Sequence, residues 1–286
     1  MNQRTTQKRL TVILGLFLAF IMGASLLLPL LSQSASQPET AETPTPAPTS
    51  PPPIADLASI TFDASYLHPT GIFNTAIPAG WSAGQANSTE NEALVIFDNA
   101  EQQSVVEVRV FQPEQAVSTA EDLKDVFNTG WLSQSWRDYT SWNEATRRVE
   151  DDRLLIDFSV RRDSQDLIAR QAAYTDGEWV YSVRVVTPDN ASEMLRYILD
   201  QQIETIQPNK QFAGTPFDWT GYTDEAAGHF IRYPSGWQIV DRGNGTPTSI
   251  AGDNAGLRVE SADGSIDSED AAAEWIENWR SGITVD

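Results

Sequence analysis

Residues 142–186 constrain this chain more than any other stretch, because they read as four consecutive strands joined by tight polar turns. In the clearest of them Leu154, Ile156, Phe158 and Val160 share one face, and Asp157, Ser159 and Arg161 share the other. A period of two marks a half-buried strand. Residues 167–174 alternate less cleanly, but Trp179, Tyr181, Val183 and Val185 again occupy one face, against Ser182 and Arg184. Glu150-Asp151-Asp152 and Asp163-Ser164-Gln165 are short polar breaks, and Asp176-Gly177 tolerates the positive φ of a type I′ hairpin. Turns this short force antiparallel pairing, since a parallel crossover takes about a dozen residues or more.

The flanking segments complete a domain over residues 54–208. Residues 73–77, 93–97 and 105–111 read as further strands, the first ending at Pro78-Ala79-Gly80-Trp81. Ser118 and Glu121 have the spacing of a capping box, and Ala120, Leu123, Phe127 and Trp131 recur at helical spacing after it. A second helix follows the four-strand run, with Asn190 and Glu193 as its cap, Leu195, Ile198, Ile203 and Ile206 as its buried stripe, and Pro208 as its stop. Strands that meander, rather than alternating one for one with helices, indicate an antiparallel sheet with helices packed on it, an α+β class.

Ahead of this domain lie three segments of different character. Residues 1–9 carry Arg4, Lys8 and Arg9 and no acid, and residues 10–31 are uncharged and long enough to cross a bilayer as a helix. The next Lys or Arg after Arg9 is Arg109, so the positive-inside rule predicts a cytoplasmic tail, an N-terminal transmembrane anchor and an extracytoplasmic body. Ser34-Ala35-Ser36 resembles a signal peptidase site, which would release the chain as a secreted form, but the apolar run exceeds a usual signal core of about 7–15 residues. Residues 32–53 form a linker rich in proline (Pro38, Pro44, Pro46, Pro48, Pro51, Pro52, Pro53), a composition that behaves as a semi-rigid spacer.

A repeat follows over residues 209–286. Pro234-Ser235-Gly236-Trp237 restates Pro78-Ala79-Gly80-Trp81, with Phe230 before it much as Phe73 stands before the first. Glu269-Asp270, Ala271, Trp275 and Trp279 then match Glu121-Asp122, Leu123, Phe127 and Trp131 at one constant offset. The pattern implies a partial second copy, which stops before any counterpart of the four-strand run. Half a domain leaves an apolar helix face and open sheet edges, to be covered by the first domain, by another subunit or by further chain.

The Pro-x-Gly-Trp strand end, the acidic-capped helix, the meander with its Asp-Gly turn and the closing helix after Thr187-Pro188-Asp189 together resemble the PsbP-like family. These are extrinsic photosystem II subunits and their relatives in non-photosynthetic bacteria. The resemblance covers roughly residues 66–207 and, in part, 228–279. It implies an α-β-α sandwich around an antiparallel sheet, and a binding or assembly role without catalysis or cofactor. The membrane tether and proline stalk depart from the lumenal photosynthetic members. No binding residue of the family has a matching motif to land on in this chain.

Composition narrows the chemistry. With no cysteine, the chain has no disulfide framework, thiolate metal site or cysteine nucleophile. Beyond the apolar segment 16 basic residues face 40 acidic ones, a balance of −24 that repels nucleic acid. Its two histidines, His68 and His229, stand without a Gly-x-Ser-x-Gly elbow and read as strand starts rather than catalytic groups. Asp263, Asp267, Glu269 and Glu274 approach the spacing of a calcium loop, but position six is Ser268 instead of glycine, so Asp267 and Ser268 read first as a helix cap. Among nine tryptophans, Trp131, Trp179, Trp275 and Trp279 fit core stripes, whereas Trp136, Trp142 and Trp219 fall on no apolar face and are candidates for a contact surface. The expectation is a membrane-tethered, extracytoplasmic, non-enzymatic module with a protein partner. A glycan or cell-wall binder is the alternative, and a hydrolase with an unrecognised site the second.

Overall fold

A computed structural model describes residues 50–241, 248–259 and 268–281; the expected tail, membrane anchor and most of the proline linker lie outside these. Among the described residues no helix is long and apolar enough to cross a membrane. The first described strands form a hairpin, β1 (Ala64–Leu67) against β2 (Phe73–Ile77). Next comes a meander of β3 (Ser82–Thr89), β4 (Glu92–Asn99) and β5 (Ser104–Phe111). Two short helices follow, α1 (Leu123–Val126) and α2 (Thr129–Ser135). The predicted ribbon is then present as β6 (Ser141–Glu150), β7 (Arg153–Arg162), β8 (Gln165–Thr175) and β9 (Val180–Pro188). Helix α3 (Ser192–Glu204) and the two-residue strand β10 (Gln207–Pro208), which joins the opening hairpin, close the domain.

The two meanders merge into one antiparallel sheet of order β3-β4-β5-β9-β8-β7-β6. The join is β5 against β9, so the connection through α1 and α2 carries the chain from the middle of the sheet to its far edge. Side-chain alternation sends the β9 residues to two separate cores. Tyr181, Val183 and Val185 pack with Val106, Val108 and Val110 of β5 and with Met194, Leu195, Ile198 and Leu199 of α3. Val180 and Val186 pack with Leu154, Ile156, Phe158 and Val160 of β7 and with Leu123, Phe127, Leu132 and Trp136 around α1 and α2. Residues buried on both faces of β9 explain why it is buried along its whole length.

Several local expectations are revised. The type I′ geometry sits at Asp151-Asp152, a two-residue loop with φ of 48° and 59° between the paired Glu150 and Arg153. Asp176-Gly177 instead belongs to a four-residue loop between the paired Thr175 and Val180. There the Asp176 carboxylate accepts from the Glu178 and Trp179 amides at 3.0 and 2.9 Å, and Gly177 takes a φ of 93°. The first expected helix is broken. Asn128 adopts an extended conformation and caps a new helix by accepting from the Trp131 amide at 3.1 Å. Ser118 and Glu121 form no capping box, since it is the Asp122 carboxylate that accepts from the Ser118 and Thr119 amides. Nor does Asn190 cap α3: it donates to the Pro51 carbonyl at 3.1 Å, pinning the end of the proline segment to the entry of α3.

The described part of residues 209–286, expected to be a partial second copy, runs in the same order of elements as the first. Strands β11 (Thr220–Asp224) and β12 (His229–Tyr233) form a hairpin, and β13 (Gln238–Asp241), β14 (Thr248–Ala251) and β15 (Gly256–Val259) form a meander, followed by helix α4 (Glu269–Ser281). Ala64 pairs with Ile77 and Thr220 with Tyr233, each pairing ending one residue before the repeated proline. In both copies the tryptophan amide donates to that proline carbonyl, Trp81 to Pro78 at 3.0 Å and Trp237 to Pro234 at 2.9 Å. Both meanders carry a register shift close behind this turn, between Ala83 and Ala86 and between Ile239 and Asp241. The hairpins of the two copies meet, with the Gly221 amide donating to the Pro69 carbonyl at 2.7 Å. Phe230 covers Gly71, where φ is +71° and a Cβ would collide with the ring.

His68 follows β1 instead of starting a strand as expected, and it is almost fully buried, stacked on Phe73 at 5.1 Å. Its Nε2–H donates to the Leu94 carbonyl at 3.1 Å, which leaves Nδ1 to accept from the Thr70 hydroxyl at 2.7 Å. Burial pushes its pKa down to about 4, so the ring is neutral in the fold. Unfolded chains protonate such a group near its ordinary value of about 6.5, so they bind the extra proton first as pH falls. The stability term is therefore complete above pH ~6.5 and lost progressively towards pH ~4, amounting to about 3 kcal/mol across the window. Urea unfolding at stepped pH should show this slope, and His68→Gln should flatten it even if the variant is less stable throughout.

Candidate functional site

Three places concentrate charged or aromatic groups. The first lies in the sheet, under α2, where β5 meets β9. Glu107 and Arg184 face each other in the ladder, with Gln171 of β8 next in the same row. Arg184 donates to Glu107 at 2.6 Å, Arg109 reaches the other oxygen of Glu107 at 3.1 Å, and Arg109 also donates to Glu92 at 2.6 Å. Helix α2 closes over them. Ser135 accepts from Arg184, whose guanidinium lies 4.2 Å from the Trp136 ring centroid, while Arg109 lies 5.1 Å from that of Trp131.

Burial alone would raise the Glu107 pKa, but the guanidiniums of Arg184 and Arg109 outweigh it and hold the carboxyl below its ordinary value. The same pairing raises Arg109 against the effect of its own burial. A carboxylate locked between two guanidiniums is a poor proton acceptor, and α2 and the tryptophans cover it. This arrangement acts as a clamp across the join of the two meanders. The buried Gln171 amide has no hydrogen-bond partner among the described residues.

The second place is a shallow cleft of about 270 Å³ between the two copies. Glu90 of the β3–β4 turn, Pro216, Asp218 and Trp219 line it, with the repeated Pro234–Gly236 turn on the far side. The Phe217 amide donates to the Glu90 carbonyl at 2.8 Å and the Phe217 ring packs edge-on to Trp179 at 4.9 Å, which fixes this wall to the first copy. Behind it Lys210 pairs with Asp176 at 2.8 Å and lies 4.0 Å from the Trp179 ring centroid. Burial would raise the Asp176 pKa, but the bonds from Lys210, Trp179 and Tyr181 prevail and bring it down to about 2. A second cleft, of about 300 Å³, runs past Phe62, Asn74, Thr75 and Glu204. Neither cleft is lined by a histidine.

The third place is the outer surface of the second copy. Val240 is 66 % exposed, Leu257 40 %, Trp275 41 % and Ile276 43 %, and these are four of the five large exposed apolar side chains among the described residues. Around Trp275 and Ile276 the exposed acids Glu269, Asp270, Glu274 and Glu277 give α4 a negative rim.

The candidate contact tryptophans separate. Trp136 is a correction: it is 1 % exposed, packed edge-on to Tyr139 and Phe158 at 5.0 Å each, and has no surface to offer. Trp142 is half-buried against Phe158 at 6.2 Å, while Trp219 is half-buried and lines the inter-copy cleft. Trp179 is fully buried as expected, but Trp275 is exposed, contrary to its expected place in a core stripe. Trp131 is half-buried, and the side chain of Trp279 lies outside the described set.

Of the candidate calcium ligands, Asp263 and Asp267 lie outside the described residues, and Glu269 and Glu274 are exposed on α4. Ser268 caps that helix, accepting from the Ala271 amide at 3.1 Å. Among the described residues no three His, Asp or Glu side chains are grouped to hold a metal ion.

No family model and no curated protein matches this chain. Among solved structures it is similar to cyanobacterial PsbP from Synechocystis sp. PCC 6803, at 13 % identity over 54 % of this chain and 95 % of that one, with a TM-score of 0.37. It is also similar to a protein of Bacteroides thetaiotaomicron, at 11 % identity over 58 % of this chain and 55 % of that one, with a TM-score of 0.31.

Truncating one partner of a buried ion pair leaves the other charge stranded, at a cost of about 3–5 kcal/mol. Glu107→Ala should lower the unfolding free energy by about that amount, read by denaturant titration, while the double variant E107L/R184M should recover most of the loss.

Proposed function

We propose that this chain is a non-enzymatic binding or assembly module, tethered to a membrane by residues 10–31 and held away from it by the proline-rich segment. The observation that carries this reading is the pairing of a clamped, closed first copy with a second copy whose apolar surface is exposed. Exposed large apolar side chains beside charged ones are a mark of interaction surfaces. Each concentration of charge inside the first copy is tied up in ion pairs that hold strands or segments together. Placement outside the cytoplasm rests on the sequence alone, through Arg4, Lys8 and Arg9 ahead of the uncharged run.

A cell-wall or glycan binder is the second reading, favoured by Trp219 in the acidic inter-copy cleft, where its ring stands beside Glu90 and Asp218. It predicts that Trp219→Ala abolishes retention on wall polymer, whereas the assembly reading predicts no such retention to lose.

The absence of native cysteine permits a clean topology test. Single-cysteine variants Glu101→Cys and Asn2→Cys of the full chain, expressed in intact cells, would be treated with a membrane-impermeant maleimide. Labelling of the first alone is the expected outcome. Labelling of Glu101→Cys only after permeabilisation would overturn the extracytoplasmic placement.

A further inference from the structure

Three times this fold sets a cation over a tryptophan ring and shares its charge with carboxylates. Arg109 lies 5.1 Å from the Trp131 ring centroid and donates to Glu92 at 2.6 Å and Glu107 at 3.1 Å. Arg184 lies 4.2 Å from that of Trp136 and donates to Glu107 at 2.6 Å. Lys210 lies 4.0 Å from that of Trp179 and pairs with Asp176 at 2.8 Å and Glu178 at 3.1 Å. The ring face and the carboxylates attract the same positive group, and partial burial strengthens both attractions.

The cleft between the two copies repeats the negative half of this arrangement without its cation. Trp219, Asp218 and Glu90 line it together, and no Lys or Arg does. Among the described residues neither carboxylate is in an ion pair, and Trp219 is in contact with no other ring and no cation. Arg232, whose charge Asp218 acts on, is buried and spends its terminal nitrogens on the Thr215 hydroxyl and the Pro216 carbonyl.

Both walls are fixed before any ligand arrives. On one side Phe217, between Pro216 and Asp218, is fully buried, and its amide donates to the Glu90 carbonyl at 2.8 Å. On the other, the Trp237 amide closes the Pro234–Gly236 turn by donating to the Pro234 carbonyl at 2.9 Å. A ligand entering such a cleft loses its own freedom but has little of the protein to order.

The lining chooses the ligand. A calcium or magnesium ion takes about six or more oxygens, and the side chains here offer two carboxylates and the Ser235 hydroxyl beside prolines and an indole. An anion is repelled by a chain of net charge −21. An organic cation suits every part of the lining, and about 270 Å³ is room for one compact group.

We infer that this cleft binds an organic cation, the alkylammonium group of a small amine or diamine, with its charge beside Asp218 and Glu90 and its methylenes on the Trp219 ring and the prolines. The inference rests on the binding-module reading and deepens it by naming a ligand class. It gives Trp219 a cationic ligand where the second reading gives it a glycan.

The test titrates the full-length chain in detergent with cadaverine, followed by calorimetry and by the indole N–H resonances, among which the Trp219 signal is the one missing from Trp219→Phe. Saturable binding at one site per chain is expected, with the Trp219 signal shifted. It should weaken several-fold as salt rises from about 20 to about 300 mM, because screening shortens the reach of the carboxylates. Asp218→Asn and Glu90→Gln should each weaken binding about fivefold and Trp219→Ala about tenfold. Asp151→Asn, in the β6–β7 turn at the opposite edge of the sheet from β3, should leave it unchanged. The two carboxamide variants keep the shape of the side chains they replace, so they test the site even where Trp219→Ala disturbs its wall. Absence of saturable binding up to about 10 mM would overturn the inference. So would equal binding of uncharged pentanediol, or binding that Asp218→Asn and Glu90→Gln leave intact, which is diffuse attraction to an acidic surface. A Trp219 signal that shifts with N-acetylglucosamine and not with cadaverine would overturn it in favour of the glycan reading. Should amine binding fail in any of these ways while Glu101→Cys still labels from outside, only the ligand is wrong and the tethered-module reading stands.

Discussion

The pairing of β5 with β9 holds the complete copy together, because it is the one seam between a three-strand and a four-strand meander. Valines meet across it on one face. On the other the Glu107–Arg184 ion pair spans the same two strands, with Arg109 and Glu92 extending it. An apolar seam alone could slip along the ladder, and a slip of one residue would send every side chain to the wrong face. The buried charges permit one alignment, since any other strands a guanidinium or a carboxylate out of water. Helix α2, lying over Arg184 through Ser135 and Trp136, is fixed by the same pair.

The second copy has the hairpin, the proline–tryptophan turn, the meander and the helix, but no described counterpart of that seam. Its exposure follows directly. Trp81 and Phe127 of the first copy are buried, whereas their counterparts Trp237 and Trp275 are half-buried and exposed. The difference lies in what packs on the two copies rather than in how each is built, as the matching tryptophan-to-proline hydrogen bonds show.

Much of this was legible in the amino-acid sequence, for reasons that differ by element. Strands β7 and β9 announce themselves because burial imposes alternation, and the repeat is visible because a tight Pro-x-Gly-Trp turn tolerates few substitutes. Strand β3 carried no signal: Ser82–Thr89 is polar and exposed at a sheet edge, held by its ladder with β4 rather than by burial. The helix after β5 was misread at Asn128, whose cap restarts the helical phase. In the new phase Leu132 and Trp136, four residues apart, turn inward and Trp131 drifts to the rim, so Trp136 becomes core although it lies off the original stripe. The clamp itself was hidden, because Glu107, Arg109 and Arg184 sit at polar positions of alternating strands, where solvent is the ordinary expectation. Only the folding of α2 onto that face buries them.

The asymmetry between the two copies is most directly measured by hydrogen exchange on the full chain without any partner. Amides of β5 and β9 should exchange only through global unfolding, while those of β14, β15 and α4 should exchange orders of magnitude faster through local opening. Equal protection of the two copies would mean that the second is already complete, and would contradict the reading of its face as an open surface.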